Sequence, residues 1–291
     1  MTKHLISLHG GHSGEFCQHA RNSLAEIIEA YEARGFSWVG ITEHMPPPED
    51  RFLDPDQQAA GLTAKDLDIR FGRYIATCRN LQKIYASRMS IFVGFETETY
   101  NGSLSFAQIL AKKYQPDFVV GSVHHVDDIN FDFDKAHYKS AVQSLGSIDQ
   151  LYHRYFDIQY DMIIGLRPQV VGHFDLIRLF DPDYRTRLDQ SDIKKKIDRN
   201  LAAVKELGLV LDLNMRALQK GASEPYLSRP ILQKALEMDI PVVPGDDSHG
   251  VDTVGANIGD AIDLLNDMGF NTRWEEILKQ MNIEHRTSDI E

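Results

Sequence analysis

Short apolar runs rich in Val, Ile and Phe alternate along the chain with longer amphipathic stretches. The apolar runs have the length of β-strands, and their nearly continuous hydrophobicity is typical of strands buried on both faces of a parallel sheet. Candidate strands span residues 4–9, 37–44, 90–98, 117–125, 169–175, 209–215 and 240–249. The pattern predicts an α/β fold of seven β-then-α units, with the sheet covered by helices on both faces or closed into a barrel.

The amphipathic stretches predict the helices between these strands. The first has apolar residues at helical spacing from Leu24 to Tyr31 and ends before Gly35. Similar spacing occurs in DIRFGRYIATCRNLQKIYASR, SFAQILAKKY, SIDQLYHRYFDIQYDMI, DIKKKIDRNLAAVKELG and PILQKALEMD, and near residues 255–268 and 273–283. Residues 46–61, rich in proline and polar side chains, are predicted to form a long rim loop. No linker or low-complexity tract interrupts the alternation, so residues 1–291 are expected to form a single domain.

Composition and charge restrict the classes of partner. The 291 residues carry 43 acidic and 31 basic side chains, a net charge of -12, which argues against non-specific binding to nucleic acid or to anionic membranes. Cys17 and Cys78 are too few for a disulfide framework, so a reducing cytoplasm is expected. No signal peptide or membrane span is expected, because no apolar stretch approaches the length that a span needs.

Side chains that bind metals stand at the end of every predicted strand. They are His9 and His12, Glu43 and His44, Glu96 and Glu98, His124 and His125, His173 and Asp175, Asp212 and Asn214, and Asp246, Asp247 and His249. Any one of them alone is more often a turn or helix-capping residue. In a parallel α/β barrel, however, all these strand ends share one face, where active sites lie. Imidazole and carboxylate ligands together favour Zn, Mn or Fe, and their number predicts two or three divalent ions.

The motifs HGGHS, GITEH, GFE, GSVHH, VGHFD and GDDSH give the sequence a family resemblance. In order and spacing they resemble the polymerase-and-histidinol-phosphatase (PHP) superfamily, and within it the histidinol-phosphate phosphatase branch, from about residue 6 to about residue 255. The resemblance implies a distorted (β/α)7 TIM-like barrel with a trinuclear metal site at the C-terminal ends of the strands. It also implies a metal-dependent phosphomonoesterase of histidine biosynthesis, which hydrolyses L-histidinol phosphate to histidinol and phosphate with a metal-bound hydroxide.

The resemblance also assigns the metal ligands by position. The first ion would be held by His9, His12, Glu96 and Asp247. Glu96 would bridge to a second ion, completed by His124 and His173. The third would be held by His19, His44 and His249. Cys17, close to these residues in sequence, is expected to be a packed thiol without a ligand role.

Three positions depart from the family pattern. Gly10 and Gly11 separate the first two histidines, where the family usually has one residue, and a spacing of three is expected to need a bulge or turn that glycines permit. Gln219 stands where the branch usually has arginine, so Arg216 is a candidate replacement. Glu43 replaces an aspartate and is expected to orient the histidine that follows it.

On the phosphatase hypothesis, Arg178 and Arg216 would bind the substrate phosphate because both follow strand ends. Asp247 and His249 are the candidates for proton transfer to the leaving group. The acidic segments PPPEDRFLD and VDDINFDFD would give the site an acidic rim, suited to a cationic substrate.

Other functions remain open at this point. The same metal site could serve a phosphatase for another phosphorylated metabolite, a phosphodiesterase or a C–N hydrolase, although the negative charge is unfavourable for nucleic acid. A non-catalytic metal-binding barrel is the second alternative. The expected partner is a small phosphorylated metabolite, with neither nucleic acid nor membrane involved, and the sequence leaves the oligomeric state open.

Overall fold

The computed structural model of the protein describes residues 4–281 and 283. In these residues the strands are, in chain order, β1 (Leu5–Ser7), β2 (Phe36–Ile41), β3 (Ser90–Glu96), β4 (Phe118–Gly121), β5 (His125–Val126), β6 (Ile129–Asn130), β7 (Val170–Val171), β8 (Val210–Asn214) and β9 (Val242–Gly245). The α-helices are α1 (Leu24–Ala33), α2 (Pro55–Ala59), α3 (Ala64–Tyr85), α4 (Ser103–Tyr114), α5 (Lys135–Leu145), α6 (Ile148–Leu166), α7 (Tyr184–Leu188), α8 (Ser191–Glu206), α9 (Arg216–Gln219), α10 (Arg229–Glu237), α11 (Ile258–Met268) and α12 (Trp274–Gln280).

Seven of the strands form one parallel sheet in the order β1-β2-β3-β4-β7-β8-β9, and β5 and β6 form an antiparallel hairpin. The chain leaving β1 also contacts the chain at β9. The Leu8 N–H donates to the Pro244 carbonyl at 3.1 Å, and the Asp247 N–H donates to the His9 carbonyl at 3.0 Å. Because the paired strands all run in one direction, the polar residues that follow them lie at the same edge of the sheet.

The prediction of parallel strands alternating with helices is confirmed. Packing around the strands is close: a Cβ on Gly40 would lie 2.5 Å from the Phe118 ring, and one on Gly94 would lie 2.7 Å from the same ring. Helix α1 begins where expected, because Ser23 and Glu26 form a capping box at its first turn. No helix in the described residues combines the length and apolarity that a bilayer crossing requires.

Several elements differ from the prediction. The predicted loop over 46–61 contains a 3₁₀ turn (Asp50–Phe52) and the short helix α2. Helix α2 forms because Asp54 supplies a capping residue and Pro55 a proline at the first helical position. Helix α5 and the β5–β6 hairpin were missed. Residues 117–125, predicted as one strand, divide into β4 and the start of this hairpin.

Candidate metal centre

Gly10 and Gly11 let the chain after β1 run through closely packed surroundings. A Cβ on Gly10 would lie 2.1 Å from the Gly40 carbonyl oxygen, and one on Gly11 would lie 2.7 Å from a methyl group of Ile27. Neither glycine adopts a positive φ. Close approach of neighbouring atoms, rather than a backbone conformation that only glycine adopts, therefore explains the two glycines between the first histidines.

Replacing Gly10 with alanine is expected to destabilise the fold and weaken metal binding, because the new methyl group would overlap a backbone atom of β2. We expect a loss of about 3 kcal/mol in the free energy of unfolding, measured by denaturant titration. Gly165→Ala in α6 is the matched control, since its Cβ would meet only the end of the Leu104 side chain at 3.3 Å. Equal stability and metal content in the two variants would contradict the packing argument.

The Glu96 carboxylate lies between two groups of histidines at the end of β3. Its Oε2 atom is 3.3 Å from His9 Nε2 and 3.4 Å from His44 Nδ1. Its Oε1 atom is 2.9 Å from His173 Nε2 and 3.3 Å from His124 Nε2. Because its two oxygens face different imidazoles, this one side chain could contribute to two adjacent cation sites.

His12 lies beside a second carboxylate. Its Nε2 atom is 3.3 Å from Asp247 Oδ1, and its ring stacks between those of His44 and His249, with centroids 4.5 Å away on each side. His249 Nδ1 lies 2.9 Å from the Asp247 carbonyl oxygen, which requires Nδ1 to donate. The other ring nitrogen of His249, Nε2, then keeps its lone pair for a ligand or a proton.

Four sets of side chains bring their ligand atoms within 4.8 Å of one another in the described residues. The sets are His9, His12 and Asp247; Glu96, His124 and His173; His44, Glu98 and His124; and His12, Cys17, His44 and His249. Every residue that the resemblance assigned to a metal, except His19, occurs in at least one set. The scattered strand-end residues therefore meet in one place.

His19 lies at the edge of this cluster. Its side chain is 44% exposed, its ring stacks on that of His249 at 5.0 Å, and its Nδ1 atom is 3.6 Å from Asp56. The buried thiol of Cys17, rather than the imidazole of His19, lies close to His12, His44 and His249. That Cys17 has no ligand role stays a prediction.

Glu98 is a site residue that the ligand assignment missed. Its carboxylate is 3.2 Å from His44 Nδ1, 3.0 Å from His124 Nδ1 and 3.1 Å from His125 Nδ1. The signal was present in the sequence, because residues i and i+2 of an extended segment point to the same side and Glu98 follows Glu96 by two.

Buried carboxylates and imidazoles in the cluster shift each other's pKa. Burial alone would lower the pKa of His12, but the neighbouring carboxylates of Asp247 and Glu43 raise it to about 10. Burial alone would raise the pKa of Glu96, but the charge of His9 and other imidazoles holds it well below its usual range. Ionised carboxylates that stabilise positive charge on their neighbours will also attract metal cations.

Buried nitrogens without partners indicate that the cluster fits bound cations. Nε2 of His9 and both ring nitrogens of His12 and His44 have no hydrogen-bond partner within the described part of the chain. Leaving buried polar atoms unpaired is costly, and a divalent cation would remove that cost by accepting the nitrogen lone pairs. Imidazole and carboxylate donors are the ligands that Zn²⁺, Mn²⁺ and Fe²⁺ accept.

Asp212, at the end of β8, orients one of these imidazoles. His9 Nδ1 donates to Asp212 Oδ2 at 2.8 Å, and Asn214 Nδ2 donates to the same oxygen at 3.0 Å. This contact fixes the tautomer of His9, so that its Nε2 lone pair points towards Glu96.

Asp212→Asn is expected to weaken metal binding about 10- to 100-fold, because the amide keeps the size of the side chain and removes the charge that holds the His9 tautomer. Competition with a chromogenic chelator measures the affinity. Asp260→Asn, an exposed change of the same kind in α11, is the control and should leave the affinity unchanged. Equal affinities in the two variants would exclude an orienting role for Asp212.

Glu43 acts on a different histidine from the one expected. Its Oε1 atom accepts hydrogen bonds from the backbone N–H and the hydroxyl of Ser13, both at 2.7 Å. Its Oε2 atom lies 3.7 Å from His12 Nδ1, whereas the carboxylates facing His44 Nδ1 belong to Glu96 and Glu98. The expectation that Glu43 orients His44 is therefore corrected: it faces His12.

Arg178 does not lie where a phosphate-binding residue was expected. It is buried in the 3₁₀ turn Leu176–Arg178, where its Nε donates to Asp175 at 3.1 Å. One terminal nitrogen donates to the carbonyls of Glu224 and Pro225, at 3.0 and 2.6 Å. Arg178 is not among the residues that line the cavity, and its guanidinium holds neighbouring segments together.

Arg216 does line the cavity. Its backbone N–H donates to Asn214 Oδ1 at 3.0 Å, and its guanidinium donates to Gln219 Oε1 at 3.0 Å, while its buried Nε has no partner in the described residues. Gln219, at the position where the family usually has arginine, thus supports the arginine that faces the site.

A cavity of about 560 Å³ opens above the cluster. Its basic lining residues are Arg70, Arg216 and Lys220, and its acidic ones include Asp54, Asp56 and Asp132. It is large enough for a small metabolite.

Comparison with known proteins identifies similar chains. The PHP domain family matches residues 8–216. A Schizosaccharomyces pombe protein named "Probable histidinol-phosphatase" is 34% identical over 271 residues, covering 92% of this chain and 88% of that protein. A Listeria monocytogenes crystal structure has a TM-score of 0.78 at 25% identity and covers 88% of this chain and 99% of its own.

A second solved structure has a similar fold. It is the Lactococcus lactis histidinol phosphate phosphatase complexed with Zn, L-histidinol and phosphate, with a TM-score of 0.70 at 18% identity. The match covers 92% of this chain and 95% of that one.

Proposed function

Because this chain belongs to the PHP domain family, we propose that it is a metal-dependent phosphatase that hydrolyses L-histidinol phosphate to L-histidinol and inorganic phosphate. The 34% identity to a histidinol-phosphatase over 92% of the chain supports this substrate. The observation that carries the proposal is the Glu96 carboxylate, whose two oxygens face separate groups of histidines beside a cavity of metabolite size.

We infer that two or three divalent ions, Zn, Mn or Fe, bind at this cluster. His9, His12, Glu96 and Asp247 would hold the first ion, and Glu96, His124 and His173 the second. His19, His44 and His249 would hold a third. The zinc in the Lactococcus lactis structure agrees with this choice of metals.

When bound, the ions supply Lewis-acid chemistry that makes water an effective nucleophile near neutral pH. Two of the proposed ligands, Asp247 and His249, have the protonation state that suits cation binding. The pKa of Asp247 lies well below its usual range, because nearby imidazoles such as His9 outweigh its burial. Burial and the charge of His12 lower the pKa of His249. An ionised carboxylate and a neutral imidazole are better ligands than proton donors, so Asp247 and His249 act on the reaction mainly by holding cations.

Arg216 has the geometry to bind the phosphoryl group. Its guanidinium lines the same cavity as the cluster, and its unpaired Nε can donate to a phosphoryl oxygen. A fixed guanidinium stabilises negative charge that develops during phosphoryl transfer. Arg178, which is engaged with Asp175, is not part of this proposal.

We also infer that the seven parallel strands close into a distorted (β/α)7 barrel, and that residues 1–291 form one domain. The hydrogen bonds that join the chain after β1 to the chain at β9 support closure. Cys17 and Cys78 are free and buried, in agreement with a reducing compartment such as the cytoplasm.

The proposed function is tested by loading the purified protein with Zn²⁺ or Mn²⁺ and measuring phosphate release. We expect L-histidinol phosphate to be hydrolysed with a higher kcat/KM than 4-nitrophenyl phosphate. Turnover of other phosphate esters alone would favour a different phosphorylated metabolite. No turnover at full metal occupancy would contradict the enzyme function and favour a metal-binding barrel.

A further inference from the structure

The acidic side of the cavity is assembled from two segments that are distant in sequence. Asp54 lies in the segment after β2, and Asp132 lies just beyond the β5–β6 hairpin. Asn130 joins them: its amide donates to Asp54 Oδ1 at 2.8 Å, and its carbonyl oxygen accepts from the Asp132 backbone N–H at 3.2 Å. The two carboxylates are therefore held along one wall of the cavity.

Asp132 is available to a ligand. It lines the cavity, and no donor in the described part of the chain hydrogen-bonds to its carboxylate. Its contact with Asn130 is made by the Asp132 backbone N–H. Glu98 and His124 of the metal centre line the same cavity. Asp132 thus places an uncompensated negative charge beside the metal centre.

A second, independent feature points to a ligand in the same cavity. Tyr226 lines the cavity with its side chain only 2% exposed, and its hydroxyl has no hydrogen-bond partner in the described residues. Its backbone N–H donates to the Asn214 carbonyl at 3.0 Å, and the Arg178 guanidinium packs 4.8 Å from its ring centroid. These contacts hold the phenol in position. Its buried hydroxyl lacks a hydrogen-bond partner, and a bound molecule can supply one.

We propose that Asp132 and the Tyr226 hydroxyl form a subsite for the protonated primary amine of the substrate. This inference rests on the proposed function and goes further, because it assigns the residues that select an amine-bearing phosphate ester. An ammonium group needs acceptors for its three N–H bonds, and the carboxylate and the phenolic oxygen each provide one.

The distribution of charge around the cavity sets the orientation of the substrate. Arg216 and Lys220 lie in the lining and attract the phosphate, whereas Asp54 and Asp132 attract the cationic end. An ester that carries a positive charge at one end and a negative charge at the other is bound in one direction, and esters without the amine lose one of the two attractions.

The test compares two esters that differ only in the amine: L-histidinol phosphate and 3-(imidazol-4-yl)propyl phosphate. Asp132→Asn is expected to lower kcat/KM for the amine-bearing ester about 10- to 100-fold, in line with the loss of a charged hydrogen bond, while leaving the other ester within about twofold. Tyr226→Phe is expected to lower kcat/KM for the amine-bearing ester about 3- to 10-fold and to change that for the other ester by no more than about twofold. Asp267→Asn, an exposed change of the same kind in α11 and outside the cavity, is the control and should affect neither ester.

If Asp132→Asn lowers kcat/KM equally for both esters, or for neither, the proposed subsite is overturned. If the wild-type protein hydrolyses neither ester, the proposed function fails, and calorimetric binding of L-histidinol itself then decides the inference. Binding by the wild type and its loss in Asp132→Asn would support the subsite in that case. Equal binding by the two proteins, or binding by neither, would overturn it. Metal content and Tm, measured for each variant, show whether Asp132→Asn folds; if it does not, Tyr226→Phe provides the same comparison.

Discussion

Replacing Glu96 with glutamine is expected to lower kcat for L-histidinol phosphate on the order of 10³-fold and to reduce the amount of bound metal. The amide has nearly the same volume as the carboxylate, so the fold should persist. It lacks the charge that faces His9 and His44 from one oxygen and His124 and His173 from the other. One substitution therefore weakens two cation sites at once.

Glu29→Gln, an exposed change in α1, controls for the substitution itself and should leave kcat and metal content unchanged. The measurements are steady-state phosphate release and metal content by elemental analysis after gel filtration. A Glu96→Gln protein that keeps all of its metal and more than about a tenth of its activity would rule out the bridging role.

Removing the metal is expected to abolish phosphatase activity and lower Tm by roughly 10 °C. A ligand held at about a thousand times its Kd stabilises a folded protein by about 4 kcal/mol, which corresponds to a shift of this size in a chain of comparable length. Without cations, the buried nitrogens of His9, His12 and His44 are left unpaired, and carboxylates such as Glu96 and Asp247 remain close together.

Calorimetry and phosphate release would be compared before chelation, after dialysis against a chelator, and after addition of Zn²⁺ or Mn²⁺. Recovery of both Tm and activity on addition of metal is the expected result. Full activity in protein free of divalent ions would contradict metal-dependent catalysis. An unchanged Tm on chelation would show that the ions do not bind at the buried cluster.

The sequence predicted the positions of the proposed metal ligands better than those of the proposed phosphate-binding residues. Strand periodicity placed His9, Glu96, His173 and Asp247 at ends of parallel strands, and parallel pairing then brings such residues to a common edge. Arg178 and Arg216 both follow strands, yet Arg178 turns into a buried ion pair and Arg216 faces the cavity. The direction of a side chain beyond a strand depends on the turn that follows, which periodicity does not reveal.

The remaining discrepancies have the same origin. Glu43 contacts Ser13 and faces His12 rather than its sequence neighbour, and Cys17 converges with the cluster where His19 was expected. The unpaired hydroxyl of Tyr226 carries no sequence signal at all. These are properties of loops packed against one another, and they follow from tertiary contacts that sequence spacing does not encode.

Diffraction from crystals of the zinc-loaded protein at the zinc absorption edge would show whether ions bind on both sides of Glu96. We expect anomalous peaks about 2.0–2.2 Å from His9 Nε2 and from His173 Nε2, with an oxygen of Glu96 coordinating each ion. Zinc found only elsewhere on the protein, or a fully loaded protein without a peak beside Glu96, would contradict this expectation.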